Sequence, residues 1–422
     1  MLFIYRFLTN FFYPFLIILI YTRSLFGKED KSRFKEKIFS SYFSPEKNNE
    51  KKLIWVHVAS LGEASSIFSL INKLNNNQKN LEFLITTVTV SAEKLVKKKI
   101  DHSMNIKHRY FPLDINFLVK NFLKKWKPDL VLFVDSEIWP NFLTEIKMNK
   151  IPLGMINGRI TKRTFTKWMF ISSFAKEIFG LFDLCLASST DSENYLKKLS
   201  VKNLKFFGNI KFSENILVES IRNKNINFFN KKKFWCAAST HENEELFCLK
   251  THLNLKKEIK DIVTIIIPRH ISRSEQIKDD CLKFGLSVQI LNDQDLILEK
   301  KEIIVVNSFG VLKEFFKYSK SVFIGKSMIK KLSLVSGQNP IEAAKLGCKI
   351  YHGPYVYNFR EIYDLLKEYK IAEQISHEDE LSIKVIEDLK TPKKEENEIT
   401  NNINFLGKKI LDESVKEIEK FL

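Results

Sequence analysis

The chain has 422 residues, which exceeds the size of one ordinary hydrophobic core and suits two domains of about 200 residues each. An apolar content of 44% excludes wholesale disorder, and five dispersed cysteines without a C-x-x-C pair argue against a structural zinc site or a disulfide scaffold. The formal charge of +18 indicates an anionic partner, although 58 of the 68 basic residues are Lys, a compositional bias that leaves the ten Arg more informative.

The amino terminus is a long uncharged segment. No charged residue lies between Arg6 and Arg23, and six basic residues follow between positions 23 and 37. A secretory signal peptide has the opposite order, with its positive charge before the apolar run. The pattern therefore predicts an uncleaved membrane anchor over residues 1–27, with a basic cytoplasmic flank that meets anionic lipids. A buried amphipathic helix is the alternative interpretation.

Residues 28–212 are predicted to form a first α/β domain, because short β-rich runs alternate with longer helical patterns. The predicted strands are Leu53–Ala59, Phe83–Thr87, Leu130–Phe133, Pro152–Ile156 and Leu184–Ala187. Helices are predicted between them, for example at Glu63–Leu74 and Phe117–Trp126. Repeated strand–helix units favour a parallel sheet that is covered on both faces.

Residues 234–402 repeat this scheme as a second α/β domain. Its predicted strands are Phe234–Ala238, Val263–Ile267, Ser287–Ile290, Ile303–Val306, Ser321–Ile324 and Lys349–Tyr351. Residues 213–233 are predicted to connect the domains, and Lys390–Asn402 is predicted to be a charged linker into a C-terminal amphipathic helix at residues 403–422. Two doubly wound domains of this kind are expected to face each other across a cleft lined by the carboxyl ends of both sheets.

The first candidate site residue is Glu63, which follows a predicted strand and a tight turn beginning at Ser60. The Ser60-x-x-Glu63 spacing is that of a capping box, so a purely structural role at the helix start is one interpretation. The other is catalytic. The helix dipole favours the ionised carboxylate, and an ionised carboxylate at the mouth of a cleft is what a general base for an alcohol acceptor requires.

Acidic residues also follow the predicted strand Leu130–Phe133, in the motif D-S-E-I-W-P-N. Its Asp135 and Glu137 either face a ligand or serve the local structure, with Asp135 or Ser136 capping a helix. The spacing is not that of a metal-binding D-x-D motif. Two basic clusters further along the chain offer cations that either pair with carboxylate or phosphate oxygens or lie on a solvated surface, namely Arg159, Arg163 and Lys211.

Three motifs follow strands of the second half. The P-R-H motif places Arg269 at the carboxyl edge of the predicted sheet, and Ser239–Glu242 follows another strand in the same way. In G-Q-N-P-I-E-A-A-K-L-G, Asn339 is the predicted N-cap of a helix, with Pro340 at its first position and Glu342 at its third. Capping explains these residues without any function, whereas a phosphate or ribose site at the helix start is the functional alternative.

Taken together, these motifs resemble those of the bacterial Kdo (3-deoxy-D-manno-octulosonic acid) transferases. The likeness extends from about Phe11 to about Phe359. It rests on the apolar anchor and on the ordered blocks V-A-S-L-G-E, D-S-E-I-W-P-N, N-G-R-I, G-N-I-K-F, A-S-T-H-E-N-E-E, I-P-R-H, N-P-I-E-A-A-K-L-G and H-G-P-Y-V-Y-N-F. The resemblance implies a GT-B fold of two Rossmann-like domains with an N-terminal membrane-anchor helix.

The resemblance also implies a reaction, namely inverting transfer of Kdo from CMP-Kdo to a lipid A precursor (lipid IVA). No metal and no cofactor are expected, and the place of action is the cytoplasmic face of the inner membrane. Glu63 would be the base that deprotonates the acceptor hydroxyl, with Glu137 and Lys211 as transition-state stabilisers. The residues implied to surround CMP are Pro268, Arg269, Phe309, Gly310, Val311, Asn339, Pro340, Ile341 and Glu342.

Two positions depart from the family pattern. Val311 stands where the family usually has an acidic residue, and Lys326 stands where a second glycine is usual. These differences favour backbone contacts to the nucleotide from Phe309–Val311. Two rival functions are a GT-B enzyme that uses a UDP-sugar for another glycolipid and a non-enzymatic basic protein that binds nucleic acid or membrane. Nucleic acid is not expected as a partner, because no nucleic-acid motif occurs.

Overall fold

The computed structural model describes residues 1–43, 50–100, 105–214, 216, 223–390 and 394–422. The chain divides into two compact units. The first comprises Met1–Asn215 together with Leu406–Leu422, and the second comprises Ile216–Phe405. The last segment of the chain therefore belongs with the first unit.

The first unit is organised by a parallel sheet. Its strands are β1 (Lys52–Val58), β2 (Leu81–Thr87), β3 (Ile106–Tyr110), β4 (Leu130–Val134), β5 (Leu153–Gly158), β6 (Leu184–Ala187) and β7 (Leu204–Phe206). Their order across the sheet is β3-β2-β1-β4-β5-β6-β7. The order of connections reverses between β1 and β4, and the carboxyl ends of strands at such a reversal are the usual ligand-binding edge of an open α/β sheet.

Helices cover this sheet, which explains why β2 and β4 are buried along their whole length. The helices of the first unit before the C-terminal segment are α1 (Leu2–Leu25), α2 (Leu61–Asn77), α3 (Val90–Lys99), α4 (Asn116–Trp126), α5 (Pro140–Met148), α6 (Lys162–Met169), α7 (Ser172–Phe179) and α8 (Thr190–Lys198). One face of the sheet packs Trp55 and Phe133 against aromatic residues of α4 and α5, among them Phe122 and Phe142.

The second unit contains a parallel sheet of the same kind. Its strands are β8 (Phe234–Thr240), β9 (Val263–Pro268), β10 (Val288–Leu291), β11 (Ile303–Val306), β12 (Ser321–Ile324), β13 (Lys349–His352) and β14 (Ala372–Gln374), in the order β10-β11-β9-β8-β12-β13-β14. Its helices are α9 (Ile226–Lys231), α10 (Glu244–Glu258), α11 (Ser274–Lys283), α12 (Leu312–Phe316), α13 (Ile341–Lys345), α14 (Arg360–Glu368) and α15 (Glu378–Lys390). Here the order reverses between β8 and β12.

The predicted strands are present within one or two residues of their expected ends, and three further strands complete the sheets. Strands β7 and β14 are only three residues long, and β3 alternates buried residues with the partly exposed Lys107 and Arg109, so none has a clear apolar signal. The predicted linker Lys390–Asn402 needs a correction, because helix α16 (Lys394–Glu419) begins inside it. Within the predicted connection 213–233 lies α9, and residues 215 and 217–222 are outside the described residues.

Helix α1 lies along the first unit over its full length. Near its start Tyr5 donates a hydrogen bond to Asp114 at 2.8 Å, and Arg6 pairs with the buried Glu145 at 2.7 Å. Near its end Ile20 is buried in a small cluster, and the ring of Tyr21 meets the ring of Phe34 edge-on. The opposite face is apolar and exposed, with phenylalanines at positions 3, 7, 11 and 15. By length and composition the helix is able to cross a membrane.

Candidate functional site

Glu63 lies at the start of α2, directly after β1, and it is 9% exposed. The predicted capping box is confirmed, because Ser60 Oγ accepts a hydrogen bond from the Glu63 backbone N–H at 3.4 Å. The carboxylate is held from two sides: Ala59 N–H donates to Oε2 at 2.7 Å, and Ser60 Oγ donates to Oε1 at 2.7 Å. Glu63 therefore takes part in the capping of α2 with Ser60, and its side chain has one fixed orientation.

The electrostatic surroundings of Glu63 combine burial with two neighbouring acids. Burial raises the pKa of Glu63 to about 7, and repulsion from Asp135 and Glu137 adds to this rise, while the hydrogen bonds from Ser60 and Ala59 oppose it. The helix dipole favours the ionised form of this carboxylate, whereas burial beside two other acids favours the protonated form. A carboxyl group with this pKa takes up and releases a proton near neutral pH.

Asp135 follows β4, the neighbour of β1 at the point where the strand order reverses. Its backbone has a left-handed φ of 59°, and its Oδ1 accepts a short hydrogen bond from Asn157 Nδ2. Asn157 Oδ1 in turn accepts from Ile210 N–H at 3.1 Å, and Lys211 Nζ reaches Asp135 Oδ2 at 3.5 Å. The motifs D-S-E, N-G-R-I and G-N-I-K-F are thereby joined around one buried amide.

Lys211 is positioned by backbone contacts as well. It lies in a short 3₁₀ turn, Ile210–Ser213, in which Asn209 Oδ1 accepts from Lys211 N–H at 3.0 Å. Helix α16 packs directly on this turn, since a Cβ at Gly407 would lie 2.0 Å from the Phe212 carbonyl oxygen. The turn that carries Lys211 thus packs against a helix almost 200 residues further along the chain.

Glu137 is contacted by two ring nitrogens. Trp139 Nε1 donates to Glu137 Oε2 at 2.8 Å, and His57 Nε2 lies 3.5 Å from the same oxygen. Burial raises the pKa of Glu137, but the neighbouring His57 and the Trp139 hydrogen bond outweigh it, so the pKa is lowered overall. Glu137 and Glu63 therefore have pKa values that are shifted in opposite directions, which suits one acid for a fixed charge and the other for proton exchange.

The structural alternative for the D-S-E motif was wrong, because neither Asp135 nor Ser136 caps a helix. Ser136 Oγ instead donates to the Arg159 carbonyl oxygen at 2.6 Å. The amino terminus of α5 is capped by Asp114, whose carboxylate accepts from Asn141 N–H at 3.1 Å and Phe142 N–H at 2.9 Å. Of the basic residues predicted nearby, Arg163 lies exposed on α6.

In the second unit, Arg269 follows β9 and its side chain is exposed. Its backbone N–H donates to the Thr240 carbonyl oxygen at 3.0 Å, which ties the carboxyl ends of β8 and β9 together. Pro268, the last residue of β9, is buried. Phe309 and Gly310 follow β11, the other neighbour of β9, and both are exposed.

The residues Phe309–Val311 border an open depression of about 460 Å³ that also includes Lys224 and Glu314. Gly310 has a φ of 79°, a backbone conformation that a side chain disfavours. Glu342 approaches this region, since its carboxylate pairs with Lys313 of α12 at 3.3 Å. The structure thus brings the loop after β11 and the start of α13 together.

The helix after Gly337 begins one residue later than predicted. Pro340 is its N-cap and Ile341 its first residue, while Asn339 Oδ1 accepts from Ile341 N–H at 3.2 Å. Asn339 is exposed, and Pro340 and Ile341 are buried. Their burial makes them supports for the exposed residues at this edge.

Two buried acids of the second unit were missed by the sequence reasoning, although both lie in the quoted motif A-S-T-H-E-N-E-E. Glu244 accepts hydrogen bonds from four backbone N–H groups, those of His241, Lys326, Ser327 and Met328, at 2.6–3.0 Å. These bonds join the loops after β8 and β12, where a Cβ on Gly325 would lie 2.7 Å from Thr240 Cα.

Glu245 forms a bidentate pair with Arg273, at 2.7 and 3.2 Å. Arg273 is therefore engaged in structure, whereas Arg269 is turned outward. The pair of adjacent acids in the quoted motif was the available signal for both, but only the folded structure identifies their partners. Among the described residues, no group of three His, Cys, Asp or Glu side chains is arranged to hold a metal ion.

Comparison with known proteins identifies the family to which the chain is similar. The model of the family described as 3-deoxy-D-manno-octulosonic-acid transferase (kdotransferase) matches residues 32–214. A 3-deoxy-D-manno-octulosonic acid transferase of Rickettsia bellii (strain RML369-C) is 30% identical over 433 residues, covering 99% of both chains. A probable mitochondrial 3-deoxy-D-manno-octulosonic acid transferase of Arabidopsis thaliana is 30% identical and covers 86% of this chain and 82% of its own.

Among solved structures, a putative UDP-N-acetylglucosamine 2-epimerase from Listeria monocytogenes is similar with a TM-score of 0.59 at 12% identity, covering 88% of this chain and 97% of its own. Likeness at this identity concerns the fold alone. Together with the two parallel sheets and the apolar α1, it confirms the predicted GT-B class of two Rossmann-like domains. The full-length match to curated relatives shows that the chain belongs to the Kdo transferase family and is a glycosyltransferase.

Proposed function

We propose that the protein transfers Kdo from CMP-Kdo to a lipid A precursor, with inversion at the anomeric carbon and Glu63 as the general base. Family membership supports the sugar that is transferred. The observation that carries the role of Glu63 is its geometry: a buried carboxylate fixed by Ala59 and Ser60, with a pKa of about 7.

In this reaction an acceptor hydroxyl attacks the anomeric carbon of Kdo. The proton of the hydroxyl passes to Glu63, the new C–O bond forms, and the bond between the sugar and the CMP phosphate breaks with its electron pair leaving on CMP. Attack from the face opposite the leaving group in one displacement inverts the configuration. A base with a pKa near 7 suits this step, because it is largely ionised at slightly alkaline pH and still accepts a proton.

Glu137 and Lys211 stabilise charges that develop as the bond to CMP breaks. The sugar becomes oxocarbenium-like and positive, and the ionised Glu137 compensates this charge. Kdo also carries its own carboxylate, and the Lys211 ammonium group is a suitable cation for it. Lys211 lies 3.5 Å from Asp135, which holds the ammonium group close to the acids.

The second unit binds CMP in this proposal. Arg269 is exposed at the end of β9 and pairs with the single phosphate, so that the leaving group needs no divalent metal. Phe309, Gly310 and Val311 contact the nucleotide mainly through their backbone. Glu342 accepts hydrogen bonds from ribose hydroxyls, with Asn339, Pro340 and Ile341 shaping the same edge and Pro268 supporting Arg269.

We place the protein on the cytoplasmic face of the inner membrane, with α1 lying in the lipid surface. The exposed phenylalanines at positions 3, 7, 11 and 15 recur every four residues and so form one face of the helix. Crossing the bilayer would detach Tyr5 from Asp114 and leave the buried Glu145 without Arg6. An in-plane helix keeps these contacts and still buries its aromatic face in lipid.

A flotation assay tests the membrane proposal with vesicles of zwitterionic lipid containing anionic lipid. Replacing Phe7, Phe11 and Phe15 by Ser is expected to abolish co-flotation, whereas Leu282→Ser, which changes an exposed leucine of the second unit, leaves it intact. A cysteine added before Met1 and one at Lys28 should both react with an impermeant maleimide outside sealed vesicles. Protection of the first alone would show that α1 spans the bilayer.

The main experiment incubates purified protein with CMP-Kdo and a tetra-acylated lipid A precursor and measures product mass. Glu63→Gln is expected to fold and to lose about 10²-fold or more of the activity. The matched control is Ser189→Ala, which removes the cap of α8 and costs about 1 kcal/mol of stability without loss of turnover. Retained activity in Glu63→Gln would leave this residue as a helix cap only.

The donor is tested by thermal protection. CMP is expected to raise the melting temperature of the protein, and UDP at the same concentration is not. Protection by UDP alone would favour the rival in which a UDP-sugar is the donor.

A further inference from the structure

A buried chain of polar side chains leads from the sheet of the first unit to Glu137. Trp55 Nε1 donates to Thr86 Oγ1 at 2.9 Å, and Thr86 Oγ1 lies 2.9 Å from His57 Nδ1. The other ring nitrogen of His57, Nε2, lies 3.5 Å from Glu137 Oε2. Trp55, Thr86 and His57 are all fully buried, so water does not compete for these contacts.

The strand register explains why these residues meet. His57 of β1 and Thr86 of β2 are direct partners in the parallel pair, and Trp55, two residues before His57, points to the same face of the sheet. Phe111 stacks on the imidazole with ring centroids 3.7 Å apart, which holds its plane. The positions of Trp55, His57 and Thr86 are therefore fixed by the strands of the sheet.

The chemistry of each group gives the chain a direction. An indole N–H only donates, so Thr86 Oγ1 accepts from Trp55 and has its own hydrogen left to give. His57 Nδ1 lies within reach as an acceptor for this hydrogen. A neutral imidazole that accepts at Nδ1 carries its proton at Nε2, and this N–H points at the Glu137 carboxylate. The opposite tautomer would place a lone pair against the negative oxygen.

We propose that Trp55, Thr86 and His57 position Glu137 by fixing His57 as the Nε2–H tautomer. His57 is a positioning residue in this inference, which rests on the proposed role of Glu137 in transfer. The ring N–H groups of His57 and Trp139 then both point at Oε2 of Glu137, and no hydrogen bond to its Oε1 is present among the described residues. Oε1 is the oxygen left to face the developing positive charge of the sugar.

The 3.5 Å separation is longer than an ordinary N–H···O hydrogen bond. Catalytic hydrogen bonds are often long in an enzyme without substrate and shorten in its complex. Burial also lowers the pKa of His57, although contact with Glu137 opposes this, so the ring stays neutral and acts as an oriented dipole. A neutral donor keeps the full negative charge on Glu137 available.

The tautomer is measured directly by NMR of protein labelled with ¹⁵N in its histidine rings, without any need for enzymatic activity. The signals of His57 are identified by their loss in His57→Gln. We expect the Nε2–H tautomer in the unmodified protein and in Thr86→Ser. In Thr86→Val the hydroxyl is gone, and we expect Nδ1–H, donating to the Thr86-position backbone carbonyl, which lies 3.3 Å from Nδ1. An Nδ1–H tautomer in the unmodified protein overturns the proposal.

Kinetics supply the second readout. Thr86→Val is expected to lower kcat about tenfold or more with little change in the KM for CMP-Kdo, and Thr86→Ser is expected to restore kcat. The control for the loss of a buried polar group elsewhere is Trp235→Phe, which should leave kcat unchanged. It removes an indole N–H that has no hydrogen-bond partner among the described residues. Equal kcat values in the Val and Ser variants would overturn the positioning role. If CMP-Kdo is not a substrate at all, the proposed function fails while the NMR result still decides the tautomer.

Discussion

The predicted site residues of the two units are held in very different ways. In the first unit Glu63, Glu137 and Lys211 are largely buried, and each is fixed by neighbours that the protein itself supplies. In the second unit Arg269, Phe309 and Asn339 are exposed, and the acids that are well bonded, Glu244 and Glu245, shape loops instead. Groups that carry out chemistry need a fixed position before substrate arrives. Groups that bind a ligand stay exposed, so that the ligand supplies their hydrogen-bond or ionic partner.

Loss of Lys211 is expected to have the largest effect among the tests of this comparison. Lys211→Met removes the charge but keeps most of the volume, and kcat should fall about 10²-fold or more because a transition-state charge is left uncompensated. Steady-state kinetics with CMP-Kdo check this result. The control is Lys205→Met, at an exposed position of β7, which should leave kcat unchanged.

Arg269→Ala is expected to act on binding. Its side chain is exposed, so the melting temperature should change little, while the KM for CMP-Kdo rises about tenfold or more as a charge-assisted contact to phosphate is lost. Arg273→Ala is the matched contrast. It leaves the buried Glu245 without its partner and should cost about 2 kcal/mol of stability with a smaller effect on KM. An equal rise of the KM for CMP-Kdo in both variants would contradict the different roles assigned to the two arginines.

Gly407→Ala tests whether helix α16 positions Lys211. The added methyl group meets the Phe212 carbonyl oxygen, which belongs to the backbone and cannot swing away. We expect a loss of about 1–3 kcal/mol of stability and a lower kcat at temperatures where the protein is still folded. Lys408→Ala, at an exposed neighbouring position of α16, should change neither value. Unchanged kcat in Gly407→Ala would separate α16 from the site.

The smallest effect is expected in the pH profile. Because Glu63 must be ionised to accept a proton, kcat should rise with pH through about 7. Asp135→Asn keeps the shape of the side chain and tolerates the left-handed backbone, but it removes a neighbouring negative charge. The rising limb should therefore move to lower pH, which a kcat profile between pH 5 and 9 measures. An unchanged rising limb would show that the charge of Asp135 does not affect the pKa of Glu63.

The same pKa shift of Glu63 also makes the free energy of unfolding depend on pH. In the unfolded chain Glu63 ionises near its ordinary value of 4.5, whereas in the folded protein it does so near 7. Between these values the folded state binds more protons, so this group lowers the free energy of unfolding as pH rises through that window. Glu63→Gln should flatten this part of the stability curve in chemical denaturation at several pH values, whatever its effect on turnover.

The sequence by itself determined the strand–helix alternation of both units, the capping box at Ser60 and Glu63, and the family. Each of these depends on local spacing or on ordered motifs, and both are visible along the chain. The strands β3, β7 and β14 were missed because they are short or polar and are stabilised by their neighbours in the sheet rather than by their own composition.

Only the tertiary structure decided how the motifs meet. Parallel strands bring Glu63 after β1 and Asp135 after β4 to the same edge of the sheet, where burial, with added repulsion from Asp135, raises the pKa of Glu63. The bridge through Asn157, the contact between α16 and the Lys211 turn, and the pairing of His57 with Thr86 join residues far apart in sequence. The Asn157 bridge and the His57–Thr86 pair follow from the order and register of the sheet, and the α16 contact follows from helix packing. No local pattern encodes either.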